Sequence, residues 1–144
     1  MRAILIDPFE KSVSYVEVGS TEEAIAVIGC KGDVVAHPIS RSDHLVIDRE
    51  ALELPDMRFW TIPDKFQGPV AGRALIRGNT PDATGIAPVG IDLAQVRGAV
   101  QFLDIRFAGW TPAKPRFEPL DVTSSRGEGS PVVARSVLSD SVDR

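Results

Sequence analysis

The stretch RFWTIPDKFQGPVAGRALIRG, residues 58–78, contains two candidate β-strands joined by a loop rich in glycine and proline. The first candidate strand, 58–62, is aromatic and aliphatic, and the second, 72–78, alternates aliphatic side chains with arginines. Because successive side chains point to opposite faces of a strand, Arg73 and Arg77 lie on the same face. We predict that this stretch forms the centre of a small sheet, with its apolar face in the core.

Apolar runs on both sides of this stretch predict further strands. A continuous run such as the first suits a strand buried on both faces, whereas alternation suits a half-buried one. The first two strands are expected to pair as a hairpin, and so are the next two. A last, weak candidate is interrupted by proline and glycine, which favours a sheet edge. The predicted strands are 2–6, 12–18, 34–39, 44–48 and 86–91.

Two short helices are predicted from their capping residues. Ser20 followed by Glu23 has the form of a capping box, and Gly29 is typical of a helix end. Asp92 is suited to cap a second helix, whose apolar residues recur at helical spacing as far as Leu103. Each helix would present one apolar face to the sheet.

These elements predict an α+β fold with a mainly antiparallel sheet of five to seven strands and two short helices. We expect residues 1–107 to form the compact domain. Residues 108–144 are rich in proline and serine, and we predict an extended C-terminal tail that is flexible or docked on a partner. Trp110, near its start, is a candidate docking residue.

Length and charge limit the classes of protein to consider. A chain of 144 residues is long enough for one core, and its net charge of −4 with a pI near 5.1 argues against a general nucleic-acid binder. The first apolar run is too short for a signal peptide or a membrane span, because Asp7 and Pro8 interrupt it. A lone cysteine, Cys30, fits a reducing compartment. We therefore expect a cytoplasmic protein that does not enter a membrane.

The sequence contains no motif for catalysis, metal binding or phosphate binding. The two histidines, His37 and His44, fall on neighbouring predicted strands, where their rings could approach each other, but no ligand spacing accompanies them. Cys30 has no evident histidine partner and is better explained as a packing residue. We predict no catalytic residues, no metal and no cofactor, and we favour a protein that is not an enzyme while leaving that question open.

Basic side chains around the central stretch give the best candidates for binding. Arg73 and Arg77 on one face could form an anion-binding or acidic-partner surface, although a solvated sheet face is the simpler explanation and the one we favour. The candidate ligand- or partner-binding residues are Arg58, Lys65, Gln67, Arg73, Arg77 and Trp110.

The segments MRAILIDP, SYVEV, QGPVAGRALIRG and IDLAQV occur in an order that resembles a family of small proteins of bacteriophages, plasmids and integrated bacterial elements. The resemblance covers about residues 1–104. The family is one of unknown function, so the resemblance implies a compact α+β accessory protein and supplies no catalytic residues. The segment after residue 107 lies outside it.

Two hypotheses about function follow. The first is a non-enzymatic accessory protein of a mobile genetic element that binds a host protein or a defence-system protein, which it would inhibit. The alternative is a small-molecule or nucleotide-binding protein or enzyme, which would use Arg58, Arg73 and Arg77 between the sheet and the loop 63–72. The sequence leaves the partner and the oligomeric state open.

Overall fold

A computed structural model describes residues 1–30, 33–79 and 86–120 of the chain. Of the predicted tail, 108–144, the part from 121 to 144 therefore lies outside the described residues. Within them the elements are β1 (Arg2–Asp7), β2 (Ser12–Glu17), α1 (Thr21–Ile28), β3 (Val34–Pro38), β4 (Asp43–Asp48), a 3-10 helix (Ala51–Glu53), β5 (Phe59–Thr61), β6 (Val70–Ala71), β7 (Ala74–Asn79), β8 (Ile86–Ala87), α2 (Leu93–Ala99), β9 (Gln101–Leu103), β10 (Ile105–Trp110) and β11 (Pro115–Pro119).

The predicted α+β class with mainly antiparallel sheets and two helices is confirmed. The main sheet has the order β2-β1-β7-β4-β3, and β8 pairs with the end of β7. Strands β6, β5 and β9 form a second sheet, and β10 and β11 form a hairpin. Each of these pairings is antiparallel.

Strand β1 is buried on both faces, as its continuous apolar run predicts. Ile4 and Ile6 face one core cluster together with Trp60, whereas Ala3 faces a second cluster formed with α1. Strand β2 pairs with it from Arg2↔Glu17 onward, so the predicted first hairpin is present. The main sheet therefore has α1 on one face, and α2 with the second sheet on the other.

Helix α1 forms as its capping box predicts. The Ser20 hydroxyl accepts a hydrogen bond from the Glu23 backbone N–H at 3.1 Å, and the Glu23 carboxylate accepts one from the Gly19 backbone N–H. Gly29 ends the helix in the left-handed conformation, with φ of 78°. Ala24 and Ile28 face the sheet and are buried.

The central stretch divides between two sheets, which corrects the prediction of a single sheet centre. Strand β7 lies in the middle of the main sheet, but β5 lies in the middle of the second sheet. Trp60 and Ile76, both fully buried, meet in the core between them. The loop between the two strands lets the chain cross from one layer to the next.

The second helix is shorter than predicted. It ends at Ala99, and Val100 is already extended. Residues Gln101–Leu103 form a strand that pairs with β5 and places Leu103 beside Phe59. The helical spacing of Leu103 was therefore coincidental, because pairing with β5 determines its conformation.

The hairpin of β10 and β11 crosses the predicted boundary at Phe107. Strand β11 places Phe117 edge-on to Phe59, with the ring centroids 5.2 Å apart. These residues belong to a third core cluster, which also contains Ile105. The segment 108–120, expected to begin a tail, is thus packed against the second sheet through Phe117.

Candidate functional site

Arg73 is held by a structural ion pair. Its Nε lies 3.2 Å from Oδ2 of Asp7, and its guanidinium carbon lies 4.9 Å from the centre of the Phe9 ring. The Asp7 carboxylate also accepts hydrogen bonds from the backbone N–H groups of Phe9 and Glu10. Arg73 therefore fastens the β1–β2 turn to the start of β7.

Arg77 lies at the other end of the same strand face. It is opposite His44 in the register of β4 and β7, and its Nη1 lies 3.3 Å from the carbonyl oxygen of Gly78. Partial burial lowers the pKa of Arg77 from its usual value, because desolvation disfavours the charged form. Leu75, fully buried beneath α1, separates it from Arg73.

Arg58 and Trp110 flank the same surface depression, which we call the Trp110 hollow. Arg58 and Leu54 line it, and its volume is about 400 Å³. The Trp110 indole Nε1 donates to Oε2 of Glu53 at 2.6 Å, and its ring meets Phe107 edge-on at 5.7 Å. Glu53 and Phe107 both line the hollow, so these contacts fix the indole at its margin.

Lys65 and Gln67 line a different depression, which we call the β3–β4 groove. It has a volume of about 550 Å³ and lies between the face of β3 and β4 and the segment 65–71. Leu45, Ile47 and Phe66 supply apolar lining. The alternative hypothesis expected a site in this place, between the sheet and the loop 63–72. The arginines that the hypothesis named lie elsewhere.

The sequence-predicted candidates thus fall into separate places. Arg58 lines the Trp110 hollow, and Trp110 contacts two other residues of that lining. Lys65 and Gln67 line the β3–β4 groove, whereas Arg73 and Arg77 each stand apart. An even spacing along a strand shows which face two side chains share, but it does not show what covers that face between them.

The two histidines lie on opposite faces of the main sheet. His37 pairs with Leu45 and shares its face, whereas His44 is the neighbour of Leu45 in β4 and points the other way. In the part of the chain that the structure describes, no group of three or more acidic, histidine or cysteine side chains could hold a metal ion. Cys30 is buried, and its thiol donates to the carbonyl oxygen of Asp33.

Several residues that line the two depressions are not among the sequence-predicted candidates. Leu54, 47% exposed, lies outside every predicted strand and helix, and Phe107 marks only the end of the predicted domain. The ring of Phe66 closes one wall of the groove by packing edge-on against Trp60, with the centroids 5.8 Å apart. Phe66 follows Trp60 by six positions, across the turn at Pro63 and Asp64, and this spacing is the sequence signal for that contact.

Comparison with protein-family models, with curated proteins and with solved structures finds no match. Among the described helices, none combines the length and the apolar character that crossing a membrane would require.

Proposed function

We propose that this protein is a non-enzymatic accessory protein of a mobile genetic element that acts by binding a bacterial protein through the Trp110 hollow. The observation that carries this proposal is an indole, 55% exposed to solvent, at the margin of a hollow whose lining includes Leu54, 47% exposed. Trp and Arg are enriched among the residues that dominate the energy of protein interfaces. The hollow offers both types, with Arg58 in its lining.

The indole is positioned before any partner arrives. Its hydrogen bond to Glu53 and its edge contact with Phe107 restrict both rotatable bonds of the side chain. A side chain that is already ordered loses less conformational entropy on association. Trp110 is therefore a suitable anchor for an apolar side chain of the partner.

Arg58 indicates the charge of the partner segment. Its side chain is exposed, and no carboxylate within residues 1–30, 33–79 and 86–120 pairs with it. The other arginine of the hollow, Arg106, is already paired with Glu118 at 2.7 Å. An apolar partner segment that carries a carboxylate would satisfy Arg58 and cover Leu54 together.

The mobile-element origin and the bacterial identity of the partner are supported by the sequence resemblance of residues 1–104. The proposal extends to defence-system proteins as the bound class, since blocking them is a common need of such elements. The arrangement of Arg58, Arg73 and Arg77 does not favour the alternative of a single nucleotide site, because the three guanidinium groups lie in different environments.

A comparative pull-down tests the proposal. Immobilised wild-type protein, Trp110→Ala and Phe9→Ala would be exposed to the same bacterial lysate under gentle conditions. Phe9 is a matched control, since it is 40% exposed and is not among the residues that line the hollow. We expect one stoichiometric partner on wild type and Phe9→Ala, and its loss on Trp110→Ala.

Two results would contradict the proposal in different ways. Equal recovery of the partner on all three proteins would show that binding occurs elsewhere on the surface. Repeated recovery of no partner from the lysates of several bacterial hosts would count against a protein-binding function altogether.

A further inference from the structure

The β3–β4 groove is independent of the Trp110 hollow, and the proposed function does not use it. The two depressions share no lining residue, and the 3-10 helix contributes Leu52 to the groove but Glu53 to the hollow. A volume of about 550 Å³ falls in the range typical of small-molecule sites. The groove therefore needs a separate explanation.

The floor of the groove is apolar and already ordered. Leu45 is 1% exposed, and Ile47 and Val70 are half-buried beside it. The wall at Phe66 is fixed by a turn in which the Lys65 and Phe66 backbone N–H groups donate to the carbonyl oxygen of Ile62 at 2.9 and 3.0 Å. Little of this lining has to be ordered when a ligand binds.

The lining carries an excess of positive charge. Lys65 and Arg49 are cationic, and Asp48 is the one carboxylate among the residues that line the groove. The Asp48 carboxylate already accepts the backbone N–H of Glu50 at 2.9 Å. Arg49 Nε lies 3.6 Å from Oδ2 of Asp33. Both side chains are exposed, so solvent screens this ion pair and it is weak.

Lys65 is placed where it can meet an anion. Its ammonium donates to the carbonyl oxygen of Ile39 at 3.1 Å, which leaves two N–H donors for a ligand. That contact holds the ammonium across the groove from its own loop, beside the end of β3. His37 and Gln67 add further polar groups to the lining.

We propose that the β3–β4 groove binds a small amphipathic anion. An apolar body of ring or short-chain size would lie on Leu45, Ile47 and Phe66, and a carboxylate or sulfonate head would contact Lys65. A neutral apolar compound would leave the ammonium without an anionic partner, so the charge of the head group should determine the affinity.

The test uses the fluorescent sulfonate 1-anilinonaphthalene-8-sulfonate and its uncharged analogue N-phenyl-1-naphthylamine, titrated into the full-length folded protein. We expect saturable binding of the sulfonate to wild type, with an affinity at least tenfold above that of the neutral analogue. Lys65→Met should weaken sulfonate binding about tenfold and remove that preference, since a hydrogen bond to a charged group is lost.

Two control variants locate the site. Lys11→Met removes another lysine with a single contact, to Asp104 at 3.3 Å, and should change the affinity less than twofold. Trp110→Ala should also leave it unchanged. Thermal unfolding of each variant separates specific binding from dye uptake by loosened protein.

The proposal is overturned if the folded wild-type protein shows no saturable binding of the sulfonate. It is equally overturned if Lys65→Met binds the sulfonate as tightly as wild type, or if Trp110→Ala abolishes binding. Both dyes binding with equal affinity would assign the groove to neutral apolar ligands and also reject the proposal.

Discussion

Asp43 shows how one buried carboxylate can organise two distant parts of the chain. It is 2% exposed, and its oxygens accept from the backbone N–H groups of Gly90 and Ile91 at 2.8 and 3.0 Å and from the Ser40 hydroxyl at 3.1 Å. These bonds tie the β3–β4 turn to the segment that leads into α2. A charged acceptor matched to several donors compensates for its burial.

We predict that Asp43→Asn lowers the free energy of unfolding by about 2–3 kcal/mol, because its amide NH2 must then face a backbone N–H. Chemical denaturation would measure the change. The control is Asp33→Asn, which removes only an exposed ion pair with Arg49 and should cost less than about 0.5 kcal/mol. Equal effects of the two substitutions would contradict this role for Asp43.

The sequence predicts little about the partners of individual polar side chains. Asp43 belonged to a polar turn between two predicted strands, and its two backbone partners lie 47 and 48 positions further along the chain. Arg73 was identified as a candidate binding residue, but its contact with Asp7 spans 66 positions. Polar side chains do not indicate their distant partners through composition or periodicity.

Elements whose signals are local were predictable. The capping box of α1 involves residues three or four positions apart, and the β1–β2 hairpin pairs neighbours in sequence. The end of α2 was not predictable in the same way. Leu103 continues a helical spacing, yet its pairing with Phe59 across two strands decides its conformation.

Two glycines report on how closely the elements pack, because alanine is expected to lower the free energy of unfolding at one position and to raise it at the other. A Cβ on Gly78 would clash with the backbone carbonyl oxygen of Pro88, so β8 and the chain after it would have to move. A Cβ on Gly98 in α2 would meet no described heavy atom within 4 Å. Backbone atoms therefore leave no room for a side chain at Gly78, whereas Gly98 has room for one.

We predict that Gly78→Ala lowers the free energy of unfolding by about 1–3 kcal/mol through overpacking, as measured by urea denaturation. Gly98→Ala should raise it by about 0.5–1 kcal/mol, because alanine is the better helix former. A neutral or stabilising Gly78→Ala would show that β8 does not approach β7 as described.

At the scale of the whole molecule, the β10–β11 hairpin extends the core beyond Phe107. The sequence predicted a boundary at Phe107 because proline and serine become frequent after it. Composition did not reveal that Phe117 meets both Phe59 and Phe107 edge-on. A few aromatic residues in a polar segment can therefore extend a core beyond the boundary that composition suggests.

If the hairpin belongs to the same cooperative unit, Phe117→Ala should lower the free energy of unfolding by about 2–3 kcal/mol, below the usual cost for a fully buried ring, and leave a single transition. Phe9→Ala, at an exposed position, should cost less than about 1 kcal/mol. Scanning calorimetry would measure both the change in stability and the number of unfolding transitions. A Phe117→Ala protein as stable as wild type would place the hairpin outside the core.

We propose the Trp110 hollow as the partner-binding surface, and titration calorimetry with the captured partner would measure what the indole contributes to binding. Because a buried tryptophan anchor contributes about 2 kcal/mol or more to the binding free energy, Trp110→Ala should raise the dissociation constant by at least about 30-fold. Phe9→Ala should leave it within about twofold. A dissociation constant for Trp110→Ala equal to that of wild type would contradict the claim.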